Sequence, residues 1–213
     1  MGRNIRKVVS RLHLCLGLIS GIVVFIVCIT ASLYVFRTEI TRLLTSQMNI
    51  KITDIDNIFD FIIRGHQYIW LPVEYGRHLV GYSVLLFLIS LITGIIMWRP
   101  RHWHWKKLRI KRSLKGHRFI LQFHTLFAIY FIIPLILLCF TGLIYSFDWF
   151  RNIIYAEAYM DYVGNIHRGR FWGFIGQIIM FLASLIGASL PVTGYILWWK
   201  KKRLKAGYKH KRK

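Results

Sequence analysis

The chain has 213 residues, of which 55% are hydrophobic and only 18% charged. With a mean hydropathy of +0.45, that balance suits a polytopic membrane protein and argues against an ordinary soluble domain. The formal charge of +22 invites a nucleic-acid reading, but the charges are segregated along the chain as a membrane segregates them, so no nucleic-acid partner is expected.

A spanning helix needs about 20 mostly apolar residues to cross a hydrocarbon core about 30 Å thick. Four stretches qualify: 12–36, 78–98, 119–147 and 171–199. The N-terminal segment 1–11 carries Arg3, Arg6, Lys7 and Arg11. The first span is about twice the length of a signal-peptide core and no small-x-small site follows it, so it reads as a retained helix. The loop 37–77 is too small for an independent core. Within it, NIKITDIDNIFDFI alternates enough to predict a short strand and one helical turn. Pro72 suits the first turn of a helix, which lets span two begin ahead of Arg77.

The loop 99–118 holds nine lysines and arginines, and its Trp103 and Trp105 are expected among headgroups. Span three leads to the loop 148–170, and span four to the tail 200–213 with nine more basic residues. All eight acids lie in the loops 37–77 and 148–170, beside only eight lysines and arginines. This positive-inside pattern puts both termini and the middle loop in the cytoplasm, where the basic segments meet anionic lipid. Cys15, Cys28 and Cys139 all fall inside spans, with no CxxC motif, and read as small hydrophobes.

The chain repeats itself. Spans one and three align at an offset of 111, matching His13 with His124, Cys28 with Cys139, Thr30 with Thr141 and Tyr34 with Tyr145. Spans two and four align at an offset of 100, matching TGIIMW with TGYILW. The expected fold is an all-α membrane protein of four transmembrane helices, built as two repeated helical hairpins.

Nine histidines sort by position. His102, His104, His117 and His210 lie among basic residues and read as solvated. His13, His66, His78, His124 and His167 lie at or near span ends, where an ionisable side chain is costly and usually functional. His13 pairs with His124 near the cytoplasmic side, and His66 with His167 near the other, with His78 the alternative to His66. Two levels of two imidazoles are what two bis-histidine b-type haems require. Gly17, Gly21, Gly81, Gly94, Gly173, Gly176 and Gly187 would let a flat macrocycle approach the backbones. Arg77 and Arg170 are candidates for its propionates. Asp148, Glu157 and Asp161 could briefly hold a cationic iron species outside. No nucleophile–base pair, carboxylate dyad or phosphate loop appears, and no flavin or nicotinamide fingerprint.

RLHLCLGL in span one, GRHLVGYSVLLFLISLITGIIMWRP in span two, FHTLFAIYFIIPLILLCFTGLIYSF in span three, and IHRGRFWGFIGQ to ASLPVTGYILWWKKK in span four resemble the PepSY-associated transmembrane family. The resemblance implies a bacterial inner-membrane protein of the ferric-siderophore reductase or iron-regulated type, with haem held between the helices. It points to His13, His124 and His167 as ligands, and where many relatives carry a folded PepSY domain after span one, the loop 37–77 here is too short for a full one. At His66 the family usually reads Leu-His-Arg, whereas here the neighbours are Gly65 and Gln67. The expected function is transmembrane electron transfer through haem b to ferric iron or a ferric chelate on the outer side. The donor would be a quinol or a cytosolic reductase. The alternative is a haem-free accessory protein that assists or regulates a transporter.

Overall fold

The computed structural model describes residues 2–48, 51–98, 108–111, 113–154 and 156–210. In chain order its α-helices are α1 (Arg3–Tyr34), α2 (Arg37–Gln47), α3 (Ile52–Tyr68), α4 (Val73–Trp98), α5 (His117–Tyr130), α6 (Ile132–Ser146), α7 (Asp148–Ile153), α8 (Met160–His167) and α9 (Gly173–His210). No strand occurs among the described residues. His102, His104, Trp103 and Trp105 lie outside them.

Three helical stretches, Asn4–Tyr34, Val73–Trp98 and Arg170–Arg203, are long and apolar enough to cross a membrane. The fourth expected span is not one straight helix. It is the pair α5 and α6, bent by 67° at Phe131. Pro134 is the physical cause: it has no N–H for the carbonyl four residues earlier, that of Tyr130, and its ring crowds the same carbonyl. The bonds on either side survive, from Phe131 N to Phe127 O at 3.1 Å and from Leu135 N to Phe131 O at 2.9 Å. The break is therefore confined to one turn.

The segment after α1 also differs from expectation. Instead of a short strand and one turn it forms α2 and α3. The apolar residues Ile55 and Phe59 are four apart and both buried, which is helical rather than strand spacing. α3 runs back along the end of α1. Arg37 Nη2 donates to Asp56 at 2.9 Å, Phe59 meets the Tyr34 ring at 5.9 Å, and His66 reaches Val27. α4 begins at Val73, with the Pro72 carbonyl accepting from Gly76 N at 2.8 Å, so span two does start ahead of Arg77.

The long helices meet in a core of Val24, Phe87, Leu91, Leu135, Cys139 and Leu190, drawn from α1, α4, α6 and α9, with Cys28 packed against it. Large apolar side chains such as Ile22, Ile133 and Ile175 point outward, at 70–76% exposure. A bundle that is apolar on both its inside and its outside has lipid as its natural solvent.

Candidate functional site

Four histidines come together in two pairs. At one level, the end where α1 begins and α9 ends, His13 on α1 faces His124 on α5, with ring centroids 6.2 Å apart and planes at 85°. At the distal level, His66 near the end of α3 faces His167 at the end of α8, with centroids 6.1 Å apart and planes at 54°. His13 and the Val27 carbonyl that holds His66 are fourteen residues apart on α1. At 1.5 Å per residue the levels are about 21 Å apart along that helix.

Each imidazole is anchored through Nδ1. His13 Nδ1 donates to the Ser90 carbonyl at 2.9 Å, with Thr93 Oγ1 at 3.2 Å. His66 Nδ1 donates to the Val27 carbonyl at 2.9 Å. His124 Nδ1 lies 2.8 Å from Thr193 Oγ1, and His167 Nδ1 lies 2.6 Å from Thr141 Oγ1. A carbonyl only accepts, so His13 and His66 carry their proton on Nδ1. The Thr141 and Thr193 hydroxyls already point their single hydrogen at their own helix, towards Leu137 O at 2.6 Å and Ser189 O at 2.8 Å. They therefore accept from the rings as well. All four imidazoles keep an Nε2 lone pair, and no protein hydrogen bond to any Nε2 is seen among the described residues.

The anchors share one local design. On each of four helices a threonine hydroxyl lies within hydrogen-bond distance of the carbonyl three residues before it: Thr30 of Val27 at 3.0 Å, Thr93 of Ser90 at 2.9 Å, Thr141 of Leu138 at 3.3 Å and Thr193 of Leu190 at 3.1 Å. In every case an imidazole meets the carbonyl, the hydroxyl or both. A glycine or alanine follows each threonine: Ala31, Gly94, Gly142 and Gly194. A methyl group placed on Gly94 would lie 3.3 Å from His13 Cε1, one on Gly194 3.7 Å from His124 Cε1, and one on Gly142 3.9 Å from His167 Cε1. The small residue gives the ring room to lie against the backbone.

Among the other expected residues, His78 is exposed and sits beside Tyr82 and Phe147, apart from both pairs. Arg77 donates to the Tyr145 carbonyl at 3.1 Å and to Asp148 at 2.6 Å, and Arg151 also pairs with Asp148. Arg77, with Arg151 behind it, holds the Asp148 carboxyl below the usual carboxylate range. Arg170 donates to Thr38 Oγ1 at 3.0 Å. The side chain of Glu157 lies outside the described residues, and Asp161 is exposed. Of the glycines expected to admit a flat ligand, Gly94 lies against an imidazole, whereas Gly21 packs on Pro191, Gly81 on Ser146 and Phe147, and Gly187 on Cys28. No group of three or more His, Cys, Asp or Glu that could hold a metal occurs among the described residues.

The model of the family described as the PepSY-associated TM region matches residues 10–55, 49–162 and 151–201. The chain belongs to that family. No curated protein matches it. In this PepSY-associated TM protein the residues that sequence reasoning missed are the anchors: Val27 and Ser90, and the threonines in their role as imidazole partners. The signal was present, since Thr followed by Gly or Ala recurs on all four helices. It shows only when all four are aligned with one another rather than two by two.

Proposed function

We propose that this PepSY-associated TM protein holds two b-type haems, one between His13 and His124 and one between His66 and His167, and passes electrons across the membrane to a ferric acceptor. The carrying observation is the spacing of the rings. Two in-line metal–nitrogen bonds of about 2.0 Å, with each nitrogen about 1.1 Å from its ring centroid, would separate two centroids by about 6.2 Å. The two pairs stand at 6.2 and 6.1 Å. Their Nδ1 anchoring is the arrangement of metal-ligating histidines, with the other nitrogen free for the metal. Two protein ligands per site suit an iron whose remaining ligands come from a macrocycle.

When bound, such a group supplies one-electron transfer, and the chain supplies the rest. The neutral imidazoles ligate without bringing charge into an apolar bundle. The two levels, about 21 Å apart along α1, divide a core of about 30 Å. Arg77 and Arg170 lie at the distal end and would meet carboxylates of the group there, with Arg77 shared with Asp148. The same contacts support the two-hairpin reading: His13 with Thr93 and His124 with Thr193 are one design used twice. The arginine and lysine asymmetry puts the His13 level on the cytoplasmic side of a bacterial inner membrane, facing a quinol or cytosolic donor.

The test uses the full chain, purified and placed in proteoliposomes. It is reduced with dithionite, freed of reductant and given a ferric chelate outside. Reoxidation is expected, and it should be lost in His167→Ala. Haem that stays reduced with every ferric chelate, yet reoxidises with another acceptor, would remove iron from the account. A preparation without a Soret band would leave the haem-free accessory role.

A further inference from the structure

We propose that Thr30, Thr93, Thr141 and Thr193 mark four imidazole sockets of one local design, in which Thr141 and Thr193 are the positioning residues that fix the tautomer of one ring in each pair through their hydroxyls. The haem consequence rests on the function proposed above; the tautomer consequence does not.

Each socket consists of a helical carbonyl, a threonine three residues later whose hydroxyl hydrogen is held by a carbonyl of its own helix, and a following Gly or Ala. The local hydrogen bond orients the hydroxyl with its lone pairs outward, which makes it a fixed acceptor rather than a rotor. The sockets come in two grades. For His13 and His66 the closest partner is a backbone carbonyl, at 2.9 Å in both cases, and no side-chain substitution removes it. For His124 and His167 the hydroxyl is the close partner, at 2.8 and 2.6 Å. The Thr193 contact is the longer of the two, which makes its socket the less dependent on the hydroxyl. Each facing pair therefore has one backbone-anchored ring and one hydroxyl-anchored ring. Thr30, Thr93 and Thr141 are buried and Thr193 is partly buried.

A ring released from its Nδ1 acceptor no longer prefers the tautomer that leaves Nε2 free. Loss of such an outer hydrogen bond typically weakens metal affinity about 10- to 100-fold. The order of effect should be Thr141→Val, then Thr193→Val, with Thr30→Val and Thr93→Val close to the parent protein.

Two readouts on the full chain test this. Nitrogen-15 spectra of histidine-labelled, haem-free protein report the tautomer of each ring. Redox titration of the haem-loaded protein reports two midpoint potentials. The expected result is Nδ1–H at all four rings in the parent. Thr141→Val should shift only His167 towards the other tautomer and move only one potential, and Thr141→Ser should restore both. Parent-like tautomers and potentials in both Thr141→Val and Thr193→Val would overturn the proposal. So would equal effects at all four threonines. If the parent takes up no haem, the function proposed above falls, and the tautomer spectra alone decide the sockets.

Discussion

The two histidine levels reach nearly the same ring spacing by different construction. At the His13 level the rings ride on α1 and α5, and their sockets are on α4 and α9, so packing of the apolar bundle positions all the parts. At the distal level the rings ride on α3 and α8, and it is α1 and α6 that provide the sockets. Neither α3 nor α8 contributes a residue to the core where the long helices meet, so local devices must hold them. α3 ends with Ile69 and Trp70 both at positive φ, 53° and 57°, a backbone region that costs an ordinary L-residue about 1–2 kcal/mol. The Trp70 ring offsets that cost by lying on Gly65 and stacking on Phe61 at 5.0 Å, while its Nε1 donates to Phe61 O at 2.9 Å. One level depends on the bundle and the other on clamps.

The largest separation of the two levels should come from Gly65→Ala. The added methyl would lie 2.3 Å from the Trp70 ring, which forces the clamp open one residue from His66. Overpacking of this kind costs about 1–3 kcal/mol. The expected outcome is a lower melting temperature with loss of the distal haem alone, read by haem content and the reduced spectrum. Equal loss at both levels would mean that the clamp serves the whole bundle.

A smaller effect is expected from Gly94→Ala, where the methyl would sit 3.3 Å from His13 Cε1 and push the ring by a few tenths of an ångström. It should shift the spectrum of the His13 level and leave the distal level alone. Gly142→Ala, at 3.9 Å from His167 Cε1, should change neither. A distal shift in Gly142→Ala as large as the Gly94→Ala shift would contradict these clearances.

The smallest effect concerns acid. Asp148 is tied to Arg77 and Arg151 and holds its proton less readily than an ordinary carboxyl of pKa 3.8. A depressed carboxyl contributes stability that is complete above its unfolded value and lost as pH falls through the folded value. Thermal melts should therefore be insensitive to this group from neutral pH down to about 4 and weaken below that, with Asp148→Asn removing the acid dependence. Asp148 is exposed, so the change should be slight. An Asp148→Asn protein that keeps the parent's full acid dependence would assign it to other groups.

Much of this arrangement was legible in the residues. The offset of 111 matched His13 with His124, and the similar spacing of His66 and His167, 27 and 26 residues ahead of the threonines of the TG pairs, matched those two. Hydropathy located the spans. What it did not show was the break in span three, because α5 and α6 are both apolar and only the relation of Pro134 to Tyr130 reveals the bend. The segment after α1 read as a strand because NIKITDI alternates by chance, while the decisive spacing, Ile55 to Phe59, is helical. His78 competed with His66 because a residue inside an apolar run looks more embedded than one ahead of it. α3 folds back along α1 and reverses that order, and such long-range packing leaves no local trace.

The account stands most directly on the pairing of the four histidines. Haem content per chain and the low-spin EPR signals of the oxidised protein should be measured for the parent and for His13→Ala, His124→Ala, His66→Ala, His167→Ala and His78→Ala. The account predicts two haems per chain with two distinct signals, the near-perpendicular pair at 85° being the more anisotropic and the pair at 54° the less. His13→Ala and His124→Ala should remove the same signal, His66→Ala and His167→Ala the other, and His78→Ala neither. Loss of one signal in His78→Ala with retention in His66→Ala, or full haem content in all five variants, would contradict it.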